Sequence, residues 1–129
     1  MQLSNYPPSH GPIQHFVHEI PNSAAFLRRV STATPFVLII KPSSDFLLAS
    51  FLDEAVLECD IHVANATELP ELPLMLQTYS LPEAVGFDNT GQVLTRAHLN
   101  VMQYDAHHTN ANIVNRLHAC LQHTTNMSD

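Results

Sequence analysis

The chain has 129 residues, the size of one ordinary domain, and twelve acidic against five basic residues give a net charge of −7. Charged residues are only 13%, about half the ~25% usual for soluble domains, and nine histidines share the polar surface with Ser, Thr, Asn and Gln. One lysine and four arginines cannot make the basic stripe that nucleic-acid binding requires, and no apolar run nears the ~18–20 residues of a membrane span.

Residues 1–12 carry Pro7, Pro8, Gly11 and Pro12 without the basic and apolar regions of a secretory signal, and read as a flexible lead-in. A cytoplasmic protein with no membrane contact is the expectation. Residues 15–20 then read as a short strand. Ser23 is the expected N-cap of a helix over 24–30, with Phe26, Leu27 and Val30 as its apolar stripe. Residues 36–40 (Phe-Val-Leu-Ile-Ile) are continuously apolar, which predicts a strand covered on both faces.

Pro42-Ser43-Ser44-Asp45 follows, and the spacing of Leu47, Leu48, Phe51, Leu52, Ala55, Val56 and Cys59 predicts a long helix to about Glu58. Residues 61–64 read as a third strand. Pro70 and Pro73 interrupt the next segment, so a short helix is expected to begin at Pro73. Ser80-Leu81-Pro82 breaks it. Residues 83–87 and 92–97 flank Asp88-Asn89-Thr90-Gly91, a hairpin signal. A last helix is expected over about 109–122, with Ile113, Val114, Leu117, Cys120 and Leu121 inward, and residues 127–129 are expected to fray.

The order β-α-β-α-β-α-β-β-α implies an α/β domain with a mixed sheet of about five strands between helices. Over residues 13–123 the chain resembles the thioredoxin-like family. The resemblance is carried by the strand 36–40 running through a Pro/Ser turn toward Phe51-Leu52-Asp53-Glu54-Ala55, by Tyr79-Ser80-Leu81-Pro82 before a strand, and by Phe87-Asp88-Asn89-Thr90-Gly91-Gln92-Val93. It implies a three-layer sandwich, with residues 1–12 and 124–129 outside it, and puts Pro82 at the place where the family carries its cis-proline, leaving its own isomer open. The departure is equally informative. Where the family carries Cys-x-x-Cys at a helix start, which lowers the thiol pKa, this chain has Pro42-Ser43-Ser44-Asp45, and it has no tryptophan. A serine hydroxyl cannot exchange disulfides, so no enzyme activity is expected. What the resemblance leaves is the backbone of Leu81 before Pro82, which in the family pairs with an extended peptide by strand addition.

The expected function is therefore a non-catalytic, protein-binding module, a chaperone or assembly factor, acting through a rim of Ser43, Ser44, Asp45, Leu81 and Pro82. Bacterial hydrogenase-maturation chaperones of this fold are similar in length and also lack the paired cysteines. Asp53, Glu54 and Glu58, with Asp60 beside them, form an acidic face that could dock a basic segment, though a solvated face explains them as well. The competing reading is an enzyme or carrier for a small thiol conjugate, with Lys41 as the basic residue beside the turn. Cys59 and Cys120 are placed on apolar helix faces as buried free thiols, although the fold would bring their helices to one side of the sheet. The histidines are not spaced as helical ligand pairs, so no metal or cofactor is expected, and His107-His108 reads as a polar helix start with His98 as a conceivable neighbour. Low surface charge leaves self-association open.

Overall fold

Phe36–Lys41 forms the central strand β2, and every one of its residues is buried. The computed structural model describes residues 17–101 and 106–127, so the lead-in 1–12, Ser128 and Asp129 lie outside the described residues. Before β2 come β1 (Val17–Glu19) and helix α1 (Ser23–Ser31). After it come β3 (Ile61–Asn65), α2 (Glu71–Leu76), β4 (Glu83–Phe87), β5 (Val93–His98) and α3 (Ala106–Met127). The five strands make one mixed sheet in the order β1-β3-β2-β4-β5. β1, β3 and β2 run parallel, while β4 is antiparallel to both β2 and β5.

Alternation along the buried strands divides the core into two layers. Val37, Ile39, Ile61, Val63 and Ala84 face Phe51, Leu52, Leu57 and the α3 residues Ala111, Val114, Leu117 and Leu121. Phe36, Leu38, Ile40, Val85 and Phe87 face Phe26 of α1 and Leu72 and Leu76 of α2. Phe36 stacks on Phe87 at 4.7 Å across the pairing between β2 and β4. The expected sandwich is present. In the hairpin, Asp88 Oδ1 accepts from the N–H groups of Thr90 and Gln92, and Gly91 takes φ +83° with Val30 occupying the space a Cβ would need. A side chain at Gly91 would collide with Val30 as well as strain the backbone.

Three local expectations are corrected. The α1 cap is Asn22, whose Oδ1 accepts from the Ala25 N–H at 2.8 Å, while Ser23 enters the first turn and donates its hydroxyl to the Glu71 carboxylate. Helix α2 starts at Glu71, so Pro73 is its third residue, where the missing N–H has no intrahelical partner to lose. Helix α3 begins three residues earlier than expected and continues to Met127.

The fourth correction is larger. The long helix expected after Asp45 does not form; two 3-10 turns, Leu48–Ser50 and Glu54–Val56, occupy that stretch. The reason lies in α3, which takes over the segment's hydrogen bonds. Asn110 Nδ2 donates to the Phe51 carbonyl at 2.7 Å, and the Asp53 N–H donates to the His107 carbonyl at 3.1 Å. Asn115 accepts from the Glu58 N–H at 2.8 Å and donates to the Val56 carbonyl at 3.0 Å. These four bonds replace the i to i−4 ladder that a helix would have used. Phe51, Leu52 and Leu57 still reach the core, and Leu47 is left 66% exposed.

Candidate functional site

The rim is built by sheet register. Because Ile40 pairs with Glu83, the chain leaving β2 at Lys41 runs beside the chain that enters β4 at Pro82. The two loops are each anchored. Thr67 donates its hydroxyl to the Pro42 carbonyl at 2.8 Å, and the Phe46 N–H closes a turn on the Ser43 carbonyl at 3.2 Å. Leu81-Pro82 is a cis peptide, and the Pro82 carbonyl accepts from Leu99 N–H at 3.0 Å. Leu81 is half-buried and precedes β4, outside that strand's pairing.

Ser43, Ser44, Asp45, Leu81 and Pro82 thus share one end of the sheet. The first three do not begin a helix, so the helix dipole that acts at the family's Cys-x-x-Cys position has no counterpart at these residues. Pro82 is buried, Ser43 half-buried, and Ser44 and Asp45 exposed. Sequence reasoning missed the exposure of Leu47 and Tyr79 on the same two loops, although it named Leu74 and Met75 as a contact patch should they be exposed. Leu47 is 66% and Tyr79 91% exposed, and Leu74 and Met75 of α2 also face solvent. The Pro-broken segment is therefore divided, with Leu69, Leu72 and Leu76 packed on the sheet and Leu74 and Met75 outward. Lys41 is 8% exposed, which does not offer the accessible cation that the carrier reading requires.

The acidic residues do not share one helix face. Asp53 is half-buried, with Oδ1 accepting from the Ala55 N–H at 3.0 Å and Oδ2 facing His108 Nδ1 at 3.2 Å. Glu54 is exposed on the second 3-10 turn, and Glu58 lies with Asp60 at a cleft elsewhere. Both cysteines are free. Cys59 is buried, with burial first and then the Asp60 and Glu58 charges pushing its thiol up to about 11. Cys120 is exposed on α3, a correction to its expected inward position. In the native protein at neutral pH, a disulfide-exchange dye should titrate Cys120 alone, with Cys59 reacting only after denaturant is added. Two thiols reacting together in the native state would contradict this burial.

A cleft of about 520 Å³ opens at the other end of the sheet, beside the starts of β2 and β3. His18 and His62 stack there at 4.8 Å, and Arg29 Nε donates to His62 Nε2 at 3.2 Å. The Arg29 guanidinium also lies 4.3 Å over the Phe36 ring and bonds the Thr34 carbonyl, so it is a structural clamp. Burial first, then Arg29 and His18, push His62 down to about 4.

At the start of α3 the structure assembles a group that spacing alone did not suggest. Asp53, His107 and His108 place one ligand atom each within 4.8 Å of one another, and the two imidazole rings lie 4.7 Å apart. His98, the neighbour conceived from sequence, is not in the group. Beneath it, Asn110 is fully buried and bonds the Phe51 carbonyl, the Asn100 carbonyl and the Asn100 N–H. Asn100 follows Leu99, the residue that bonds Pro82, so this group and the rim stand at the same end of the sheet. Its partners are more than fifty residues apart in sequence, which is why no local motif announces it.

No protein-family model matches the chain, and no curated protein matches its sequence significantly. Solved structures do. The reduced thioredoxin of Schistosoma mansoni is similar at a TM-score of 0.59 and 7% identity, covering 81% of this chain and 97% of that one. The thioredoxin of Malassezia sympodialis is similar at 0.56 and 12% identity, covering 88% and 93%. That of Trypanosoma brucei brucei is similar at 0.56 and 10% identity, covering 85% and 95%. At such identities the likeness is one of fold. With the observed strand order, it establishes a thioredoxin-like α/β fold for this chain.

Proposed function

We propose that this domain binds an extended segment of another protein across the rim formed by Ser43, Ser44, Asp45, Leu81 and Pro82, without thiol chemistry. The observation that carries the reading is the exposure of Leu47 and Tyr79 on the two loops that make this rim. Large apolar side chains held in solvent lose hydration when a partner covers them. Leu81, outside the pairing of β4, supplies backbone groups for strand addition. The absence of a thiol at positions 42–45, with Cys59 buried and its thiol pushed up, supports a non-redox role. Two free thiols accord with a reducing compartment such as the cytoplasm. A chaperone or assembly factor is the kind of protein that works by such contact. Glu54 is the acidic residue best placed for a basic flank of the partner, since Asp53 is already engaged.

Selection of binders from a random peptide library, followed by amide chemical-shift mapping, tests the reading. Shifts should concentrate at residues 43–47 and 79–82. Leu47→Asp and Tyr79→Asp should each weaken the selected peptide by about tenfold, or ~1.4 kcal/mol. Insulin reduction in dithiothreitol should not exceed background. Shifts confined to the opposite end of the sheet, or turnover above background, would refute the proposal.

A further inference from the structure

We propose that Asp53, His107 and His108 form a binding site for a divalent transition-metal ion of the zinc class. Two imidazole nitrogens and one carboxylate oxygen are the donors that Zn²⁺ and its neighbours prefer, and three protein ligands leave a position for water. Ligand bonds of ~2.0–2.2 Å in a tetrahedral set put ligand atoms roughly 3.3–3.6 Å apart. The three donors here lie within 4.8 Å of one another, so about 1.2–1.5 Å of further approach closes the set. His108 is exposed and His107 half-buried, so both ion and water have access.

The site is held from behind, as ligand sets are. The Ala55 N–H fixes Asp53 through Oδ1 and leaves Oδ2 directed at His108. The Asp53 N–H is bonded to the His107 carbonyl, which sets the two ligand-bearing segments against each other. Asn110 then ties the N-terminal part of α3 to Phe51, two residues before Asp53. An ion takes the place of the hydrogen shared by Asp53 Oδ2 and His108 Nδ1, and the His108 ring proton moves through solvent to Nε2. The positive end of α3 opposes a cation, and the Asp53 carboxylate offsets it. A net charge of −7 favours cation approach. The proposal is independent of peptide binding at the rim.

Calorimetric titration of the full chain with Zn²⁺, and the visible absorption of added Co²⁺, test it directly. One ion per chain should be lost or weakened at least about tenfold in Asp53→Asn, His107→Gln and His108→Gln, and unchanged in His98→Gln. Circular dichroism reports whether each variant folds. A measurement on the unaltered protein stands beside them: Zn²⁺ should slow carbethoxylation of His107 and His108 but not of His98. Absence of Zn²⁺ binding, binding indifferent to all three substitutions, or equal carbethoxylation rates with and without Zn²⁺ would overturn the site.

Discussion

Asn110→Ala lowers the stability of the domain by on the order of 3–5 kcal/mol, read as a fall in the urea midpoint and of roughly 10–20 °C in melting temperature. Asn110 is 0% exposed, and its amide makes three bonds, to the Phe51 carbonyl at 2.7 Å, the Asn100 carbonyl at 2.6 Å and the Asn100 N–H at 2.9 Å. Alanine deletes the side chain but leaves its partners in place. Each buried backbone group left without a partner costs about 1–3 kcal/mol, far more than the net gain of one hydrogen bond. Asn110→Asp separates hydrogen bonding from volume. The carboxylate can still accept from Asn100, but it has no donor for the two carbonyls and repels both. Asp should therefore be at least as damaging as Ala. If Asn110→Ala changed stability by less than about 0.5 kcal/mol, the three-way tie would not be what holds the irregular segment to α3.

That tie also explains what the sequence concealed. The strand at 36–40, the hairpin at Asp88–Gly91 and the proline before β4 were legible because each is a local device. An unbroken apolar run, a turn that needs glycine and a residue without an N–H carry their own reasons. The segment 46–58 met the helical period equally well, yet it is two 3-10 turns. Periodicity records which side chains seek the core, and Phe51, Leu52 and Leu57 do reach it. It does not record that Asn110 and Asn115, more than fifty residues on, will claim the backbone. The same distance separates Asp53 from His107 and His108, so the donor cluster became visible only through tertiary packing. The rim lay between these cases. Its residues were named by resemblance, whereas its exposed Leu47 and Tyr79 depended on the helix that failed to form and the loop that follows α2.

The pH dependence of stability is expected to have a component that belongs to His62. An imidazole in the unfolded chain takes up its proton near 6.5, whereas His62 in the folded protein resists protonation until about 4. The structural cause is specific. Nε2 accepts the Arg29 Nε–H at 3.2 Å, a bond the protonated ring cannot accept, and Arg29 and His18 repel a new charge while Asp60 partly offsets them. Between these two values the unfolded state binds a proton that the folded state does not, so protonation favours unfolding. The contribution is complete above about pH 7, falls as pH drops through 6.5 toward 4, and is flat below. Full linkage would be larger, but the ring is only partly buried, and screening reduces the loss to roughly 1–2 kcal/mol between pH 7 and 4.5. Urea unfolding at a series of pH values, at low protein concentration, reads it directly. His62→Gln should flatten that window. Arg29→Met should move the ring's titration upward, because it removes both the bond to Nε2 and the repelling charge. In a proton NMR titration the His62 ring signals should stay unprotonated down to about pH 5. A midpoint near 6.5 for that resonance in the unaltered protein would mean that Arg29 does not clamp the ring, and the stability window would then have another origin.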